Sequence, residues 1–505
     1  MPTDSLPANP NLEQLKANAK SLRDLVREGA DGAIDLVREH HPRLGDLAAG
    51  SPEATGFKLA DAQLTLARHC GFPSWPKLRA QVELLHGLTR FPHRQPVGET
   101  VTDDVQRADE LLRLACLNYG ADDPARPRQA RALLRAHPHI ARASIHTMAA
   151  VGDVAAAAAQ LAADPAAAGR QGGPFAWEPL LYACYSRVDL DDEGYDTLEV
   201  ARLLLAAGAD PNVGYLWEGY VPPFTALTGA FGGGEGHQPP HRQSLALARL
   251  LLEAGADPND SQTIYNRGLG DIAADDTEYL ELLFDFGLGT GDGGPWYRML
   301  APAQPTPAEL IAEALQHAAE AALPNRARLL LRRGADPNAR GQHPCFGGRA
   351  PHESAVLHGN IDIARMLAEA GADTSTVDPV SAFVGACMAG DRAAVDRAIA
   401  GDPGLVHHAL EREPDLLRRA AELGRGPAVR LLVDLGYEIN ARHRTTALHE
   451  AALRGDLDLV RLLVDLGADP TIEDTEHHST PEGWASYGGQ TETAAYLAQA
   501  SRLRR

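Results

Sequence analysis

The residues of this chain that could bind a phosphate or a metal are concentrated around positions 231–241. Residues 231–236 read Phe-Gly-Gly-Gly-Glu-Gly, but no Lys-Ser or Lys-Thr follows to complete a phosphate-binding loop. His237 and His241 have the four-residue spacing of metal ligands on one helical face. Pro239 and Pro240 lie between them and forbid that helix, and no third ligand is evident. We therefore predict a flexible insertion here, not a nucleotide or zinc site.

Other histidines occur as adjacent pairs, which cannot share one face of a helix. The pairs are His40-His41, His407-His408 and His477-His478. The last pair lies next to Glu473, Asp474 and Glu476, a group that could bind a metal weakly, although a solvated turn is the simpler interpretation.

Acidic clusters, such as Asp191-Asp192-Glu193 and Asp275-Asp276, are expected in exposed turns. Carboxylates that act in acid–base catalysis need apolar surroundings, which these lack. The sequence contains neither a Gly-x-Ser-x-Gly elbow nor a His-Glu-x-x-His motif. We predict that the chain is not an enzyme and that it has no catalytic residue, no cofactor and no metal. A hydrolase or metal enzyme in the first 90 residues, where His40, His41, His69 and Cys70 are the candidate residues, is the remaining catalytic alternative.

Length and composition favour a helical protein made of several parts. A chain of 505 residues is too long for one compact core, so it must divide into domains or repeat. Aromatic residues make up only 5%, whereas Ala and Leu are abundant, a bias that suits short, closely packed helices.

The net charge of −21 lies entirely in residues 91–505, because acidic and basic residues balance in residues 1–90. All four lysines, Lys16, Lys20, Lys58 and Lys77, also lie in that neutral part. The split suggests two domains of different character. An acidic chain is a poor ligand for nucleic acid, so we expect none as a partner; the acidity serves solubility or attracts a basic partner.

Five scattered cysteines, Cys70, Cys116, Cys184, Cys345 and Cys387, form no Cys-x-x-Cys pair and are expected to be reduced core residues. The first ten residues lack the pattern of a secretory signal, and no apolar run reaches the ~18 residues that span a bilayer. We therefore expect a cytoplasmic monomer without a membrane partner.

One phrase of twelve residues recurs along the chain. Ala-Arg-Leu-Leu-Leu-Ala-Ala-Gly-Ala-Asp-Pro-Asn at 201–212 returns at 248–259 and 327–338, and in varied form at 364–374, 428–440 and 460–471. A second set of glycines, Gly359, Gly390, Gly424, Gly455 and Gly489, recurs in steps of 31, 34, 31 and 34 residues. A period near 33 residues predicts a repeat protein.

The physical chemistry of the phrase predicts a helix that ends in a turn. The leucines form the buried stripe of a short helix, the glycine takes the left-handed conformation that ends it, and Asp-Pro-Asn forms a turn. In the unit at 446–470, Thr446 is placed to cap the first helix and His449 could tie the turn to its neighbour. We take as the structural signature Gly208, Asp210, Gly255, Asp257, Gly334, Asp336, Gly371, Thr446, His449, Gly455, Gly467 and Asp469.

The segment Thr446-Ala-Leu-His-Glu-Ala-Ala452 resembles the Thr-Pro-Leu-His-x-Ala segment of the ankyrin repeat. The resemblance covers about 107–500; it is closest at 440–500 and weakest at 107–172 and 380–412. It implies an all-α ankyrin-repeat solenoid of about eleven helix pairs, several degenerate, with loop insertions near 213–243 and 289–308. The order of these pieces is similar to that of ankyrin-repeat proteins from high-GC, actinobacterial-like bacteria.

The first 90 residues follow no ankyrin phrase. Segments 11–27, 32–39, 58–69 and 74–85 have helical periodicity, and residues 57–78 are similar to a small helical module found ahead of bacterial ankyrin arrays. We expect Phe72 and Trp75 in the core of this module. The predicted organisation is a disordered N-terminus (1–10), a helical module (11–90), a linker (91–106), the array (107–500) and a polar tail (501–505).

The resemblance implies a non-catalytic scaffold that binds a partner protein through the concave face and turn tips of its repeats. Aromatic residues supply most interface energy, and they gather in the stretch of the chain that holds the two insertions. The predicted contact residues are Tyr215, Trp217, Tyr220, Phe224, Phe231, Tyr265, Trp296 and Tyr297. Packing of these aromatics against the repeats remains an equal alternative. A second hypothesis is an acidic regulator or inhibitor that sequesters a basic enzyme or toxin.

Overall fold

The computed structural model describes residues 6, 9–95, 103–120, 122–190, 193–269, 275–301, 303–343 and 346–504. The described residues divide into two compact units. Unit 1 lies within Met1–Asp271 and Glu278–Pro307, and unit 2 lies within Ile272–Thr277 and Ala308–Arg505. The division falls inside the repeat array that the sequence predicts.

Unit 1 contains sixteen helices among its described residues. They are α1 (Leu12–Glu28), α2 (Asp31–His40), α3 (Pro52–Thr55), α4 (Leu59–His69), α5 (Trp75–Leu88), α6 (Asp104–Ala115), α7 (Arg126–Ala136), α8 (Ile145–Val151), α9 (Val154–Ala163), α10 (Pro179–Tyr185), α11 (Thr197–Ala206), α12 (Ala226–Phe231), α13 (Ser244–Glu253), α14 (Ser261–Leu269), α15 (Glu278–Asp285) and α16 (Gly294–Leu300).

The described part of unit 2 contains thirteen helices. They are α17 (Pro307–Glu320), α18 (Pro324–Arg332), α19 (Pro351–Leu357), α20 (Ile361–Glu369), α21 (Pro379–Met388), α22 (Arg392–Gly401), α23 (Leu405–Arg412), α24 (Leu416–Glu422), α25 (Gly426–Asp434), α26 (Ala447–Arg454), α27 (Leu457–Asp465), α28 (Pro481–Tyr487) and α29 (Thr491–Arg504). The fold is thus the helical-repeat architecture that the sequence predicts. Apart from α16 and α23, the helices after α5 follow one another as eleven pairs.

The N-terminal helices form where their periodicity predicts them. The side chain of Asn11 caps α1 by accepting the backbone N–H groups of Glu13 and Gln14, and Gly29 ends the helix at φ 80°. Val26, Ile34 and Phe57 are buried in a shared core of this segment. Phe72 and Trp75 pack, partly buried, on a second cluster around Leu78, Val82 and Ala67.

Seven of the second helices end by one mechanism. In each of these, a fully buried leucine lies four residues before a glycine of positive φ; these leucines are Leu204, Leu251, Leu283, Leu330, Leu367, Leu432 and Leu463. The residue after each glycine donates its N–H to the carbonyl oxygen of that leucine, as Ala209 does to Leu204 at 3.0 Å. This is the Schellman ending, and each buried leucine contributes about 1.5–3 kcal/mol.

A small sheet lies in unit 1 that the all-helical prediction did not include. Strand β1 (Thr89–Arg90) pairs in parallel with β2 (Gly214–Trp217), which pairs antiparallel with β3 (Phe224–Thr225). The predicted insertion at 213–243 therefore begins as a hairpin. It is joined by backbone hydrogen bonds to the chain that follows α5.

Arg425 connects three successive repeats of unit 2. Its guanidinium donates to the carbonyl oxygens of His358 and Met388, and to Oδ1 of Asn360 at 2.6 Å. The side chain of Asn360 in turn donates to the carbonyl oxygen of Ala319 at 2.8 Å. These bonds satisfy carbonyl groups that the ends of short helices leave without partners.

The predicted bounds of the linker and of the polar tail differ from the ends of the helices that the structure describes. Helix α6 begins at Asp104, inside the predicted linker, of which residues 96–102 lie outside the described residues. Helix α29 runs to Arg504, through most of the predicted polar tail. Within the described residues, no helix is both long and apolar enough to cross a bilayer.

Among the cysteines that the structure describes, Cys116, Cys184 and Cys387 are free thiols. Cys116, Cys184 and Cys387 are buried and Cys70 is half-buried, whereas Cys345 lies outside the described residues. Burial raises the pKa of the Cys116 and Cys387 thiols to about 12. These two are therefore unreactive core side chains.

Candidate functional site

The glycine-rich stretch forms a closely packed turn, so the expectation of a flexible insertion is wrong for these residues. Gly233 donates its N–H to the carbonyl oxygen of Gln238 at 2.8 Å, and Gly234 donates to that of Asn266 at 2.9 Å. A Cβ atom on Gly233 would meet the Asn266 carbonyl oxygen at 2.6 Å. The glycines are needed because backbone lies directly against backbone.

The histidines of this stretch do not converge on a common site. His241 is buried, and its Nε2 lies 2.8 Å from the hydroxyl of Thr197 while its Nδ1 accepts the N–H of Gln243 at 3.0 Å. Burial lowers the pKa of His241 to about 3. His237 lies in the turn itself, with φ 48°. His241 is thus a neutral structural side chain.

In the histidine pair His40-His41, His40 contacts a histidine of a different helix. Nε2 of His40, at the end of α2, lies 3.0 Å from Nδ1 of His69, at the end of α4. His41 is buried, with its Nε2 3.5 Å from a carboxylate oxygen of Asp61. Across the described residues, no three His, Cys, Asp or Glu side chains are grouped so that they could hold a metal ion.

Of the acidic clusters, Asp275 and Asp276 bond to the start of a helix. Asp275 accepts the backbone N–H groups of Asn325 and Arg326 at the start of α18, at 2.7 and 3.1 Å, and Asp276 pairs with Arg326 at 2.7 Å. Asp191 and Asp192 lie outside the described residues.

Asp474, beside the last histidine pair, is buried. It accepts the backbone N–H groups of Glu476, His477 and Ser479, and the indole N–H of Trp484 at 2.9 Å. These four donors fix the turn around the carboxylate, and both carboxylate oxygens accept hydrogen bonds from the chain.

The Asp-Pro-Asn turns bond both within a repeat and to the next repeat. Oδ1 of Asp336 accepts the N–H of Asn338 at 2.9 Å, which closes the turn. The amide of Asn338 then donates to the carbonyl oxygen of Gly371 at 3.2 Å and accepts the N–H of Asp373 at 2.7 Å. The side chain thus pairs with the next turn much as a backbone amide would.

The same pair of bonds recurs elsewhere in the chain. Asn212 bonds the turn at Gly255 and Asp257, and Asn440 bonds that at Gly467 and Asp469. Asn259 makes a variant of the pair, because it accepts the N–H of Gly289 but donates to the carbonyl oxygen of Thr290. Gly208, Gly255, Gly334, Gly371 and Gly467 precede these turns with φ between 90° and 105°. The asparagine side chains therefore hold successive repeats together, while the signature glycines and aspartates shape the turns from which those side chains project.

Thr446 and His449 form a second connection between repeats. The hydroxyl of Thr446 lies 2.8 Å from Nδ1 of His449, and together they close a capping box on α26, which ends at Gly455. Nε2 of His449 lies 3.0 Å from the carbonyl oxygen of Ser479 in the following unit. Burial lowers the pKa of His449, so it stays neutral in this position.

Three of the eight aromatics predicted to contact a partner are buried in unit 1. Tyr215 stacks on Trp177 and on Phe224, with ring centroids 4.9 and 5.7 Å away. Phe231 contacts the ring edge of Tyr279 at 6.1 Å. Tyr215, Phe224 and Phe231 are each no more than 9% exposed. This burial supports the packing alternative for these three residues.

Trp217 contacts the segment that follows the N-terminal helices. Its ring lies 4.4 Å from that of His93, and its indole N–H donates to the carbonyl oxygen of Asn118 at 2.9 Å. The neighbouring Glu218 pairs with His93 at 3.0 Å and also contacts Arg94. The chain's own N-terminal segment therefore covers one face of Trp217.

The remaining four predicted contact residues reach the surface. Tyr220 is 55% exposed and Tyr265 is 45% exposed; the hydroxyl of Tyr265 donates to Glu235 at 3.2 Å. Trp296 and Tyr297, on α16, are half-buried and line a small pocket. Sequence reasoning did not single out the polar side chains of that pocket, Asp260 and Gln304, nor Tyr487, which is 91% exposed on α28.

The fold and its turn-to-turn bonds define a helical-repeat protein. Comparison with known families identifies the repeat: the model for ankyrin repeats, described as three copies, matches residues 383–474 and 417–503. The C-terminal region therefore contains ankyrin repeats, including residues 383–412, where the sequence resemblance is weakest. No curated protein matches the chain.

Proposed function

We propose that this protein is a non-catalytic scaffold that binds a partner protein. Ankyrin repeats generally mediate protein–protein interaction. The observation that carries the proposal is that the side chains that hold the repeats together differ from the aromatic side chains that stay exposed. The asparagine side chains of the turns are occupied by repeat-to-repeat bonds, while Tyr220 and Tyr265 remain exposed on unit 1. Exposed aromatics at fixed positions on a rigid scaffold suit a contact surface.

The proposed contact surface consists of Tyr220, Tyr265, Trp296 and Tyr297. Two of these side chains are largely exposed, and the other two border a pocket. We further propose that the protein acts in the cytoplasm as a monomer of actinobacterial-like type, without nucleic acid or membrane as partners.

The test uses the full chain as bait in quantitative affinity capture from its native host. A double variant, Y220A/Y265A, is compared with wild type and with Y487A, a matched exposed aromatic in unit 2. We expect a stoichiometric partner that the double variant loses at least tenfold and that Y487A retains. Loss with Y487A alone would place the contact on the last repeats. Absence of any stoichiometric partner would overturn the scaffold proposal.

A second candidate is an acidic regulator that sequesters a basic enzyme or toxin. The net charge of −21 supports it. Attraction between exposed charges weakens as salt rises, because counterions screen it. Capture of the partner should therefore fall between about 50 and about 500 mM salt, and capture that stays constant would contradict this role.

A further inference from the structure

A small pocket opens in unit 1 where the insertions meet two successive Asp-Pro-Asn turns. Residues 211–212 and 256–261 supply one side, and Trp296 and Tyr297 supply another. The indole N–H of Trp296 donates to the carbonyl oxygen of Asn212 at 2.8 Å, which fixes the aromatic wall against the turn.

The pocket contains two carboxylates and, among its described lining residues, no basic side chain. Oδ1 of Asp257 accepts the N–H of Asn259 at 2.9 Å, and none of the described residues donates to its Oδ2. That oxygen lies against Gly294, where a Cβ atom would meet it at 1.5 Å. Asp260 is 92% buried and accepts the hydroxyl of Thr225 and the N–H of Thr263. The pocket is therefore electronegative.

A buried amide also faces this space with one of its atoms unused. Gln304 is 94% buried; its Oε1 accepts the hydroxyl of Ser261 at 2.7 Å, and its Nε2 has no acceptor among the described residues. A half-turn of the amide exchanges the two atoms, so that Nε2 donates to the Ser261 hydroxyl and Oε1 faces the pocket as an acceptor. The amide can therefore offer either a donor or an acceptor to a polar group that enters the pocket.

The size of the pocket restricts what that group can be. The pocket has a volume of about 20 Å³, which is enough for one group of the size of a water molecule. A lysine ammonium is compact and carries three donors, whereas a guanidinium is broad and planar. Trp296 and Tyr297 offer aromatic surface to the methylene stem of a lysine.

We propose that this pocket binds the side-chain ammonium of a lysine on a protein partner; the inference rests on the proposed scaffold function. The ammonium donates to Oδ2 of Asp257 and to the amide oxygen of Gln304, and the charge of Asp260 lies nearby. The rings of Trp296 and Tyr297 flank the stem. A basic partner is thereby recognised by one inserted lysine as well as by its overall charge.

The test follows the indole N–H resonance of Trp296 in the ¹⁵N-labelled full chain, assigned with W296F. The probes are the lysine peptide acetyl-Gly-Lys-Gly-amide, the same peptide with the lysine Nε acetylated, and the arginine peptide acetyl-Gly-Arg-Gly-amide. We expect the lysine peptide to shift this resonance saturably and the neutral peptide to have no effect. An equal response to both peptides, or no response, would overturn the proposal, as would equal binding of the arginine peptide.

The variant D257N keeps the acceptor Oδ1 for Asn259 and removes the charge. We expect it to weaken binding of the lysine peptide at least tenfold with an unchanged melting temperature. D336N, the equivalent change in a unit 2 turn, should leave binding as in wild type. Undiminished binding by D257N would contradict the proposal. Peptide binding without a captured protein would contradict the scaffold function alone, and a captured protein without peptide binding would contradict only the lysine site.

Discussion

Trp296 and Asn212 lie 84 residues apart, yet the indole N–H of Trp296 donates to the carbonyl oxygen of Asn212 at 2.8 Å. The Asn212 side chain meanwhile bonds the next turn, where it donates to the carbonyl oxygen of Gly255 and accepts the N–H of Asp257. One residue thus joins an aromatic insertion to the bonds that hold successive repeats together. Changes in the insertion and in the repeats of unit 1 should therefore influence each other.

Replacing Trp217 should loosen the segment after α5, whereas replacing Tyr220 should not. W217A loses the contact with His93 and the hydrogen bond to Asn118, which we expect to lower the free energy of unfolding by about 2 kcal/mol or more. Y220A should stay within about 0.5 kcal/mol of wild type, since the side chain is exposed. Urea unfolding and hydrogen exchange at residues 75–95 measure both. Equal stability of the two variants would show that Trp217 is not a packing residue.

Removing one asparagine of the turn-to-turn bonds should weaken unit 2. N338A loses the bonds to Gly371 and Asp373, for which we expect a loss of about 1–2 kcal/mol in the free energy of unfolding. N325A, an exposed asparagine of the same unit, is the control and should change the urea midpoint little. If N338A unfolds at the same urea concentration as N325A, the inter-repeat bonds contribute nothing to stability.

Arg425 should stabilise unit 2 far more than a neighbouring exposed arginine. R425M leaves the carbonyl groups of His358 and Met388 and the side chain of Asn360 without a donor. Hydrogen bonds to charged groups contribute about 1.5–3 kcal/mol, so we expect a loss of at least about 2 kcal/mol. R430M, at an exposed position of α25, the helix that follows Arg425, is the matched control. Thermal melting of the two variants should separate them clearly, and coincident curves would refute the role of Arg425.

The buried carboxyl of Asp260 should make unit 1 less stable as the pH rises through 6. Burial raises its pKa to about 6, so between about pH 4 and pH 6 the folded state holds a proton that the unfolded state releases. Stability therefore falls over that range, by about 1.4 kcal/mol for each unit of the shift, and stays lower above pH 6.

The variant D260N isolates this effect, because asparagine can keep the acceptor for Thr263 without the charge. Its melting temperature should exceed that of wild type at pH 7.5 and approach it at pH 4.5. A difference between the two proteins that does not change with pH would mean that Asp260 does not titrate in this range.

Much of the fold follows from short-range patterns that the sequence displays directly. The glycine four residues after a buried leucine, the Asp that closes each turn and the Thr that caps α26 all act within a few residues. Such contacts produce a periodic pattern in the sequence, because the same local contacts recur from repeat to repeat. The helical segments, the repeat length and the positions of the insertions were therefore predictable.

Which aromatics are buried was decided only by tertiary structure. Tyr215 and Tyr220 lie five residues apart in one insertion, yet the first is 1% exposed and the second is 55% exposed. Their difference depends on Trp177 and on strand β1, which come from distant parts of the chain. The pocket lined by Asp257, Asp260 and Gln304 likewise depends on contacts between distant parts of the chain. The sequence alone determined the repeated unit, because its contacts are local. Tertiary contacts determined which side chains stay exposed, because those contacts carry no periodic signal.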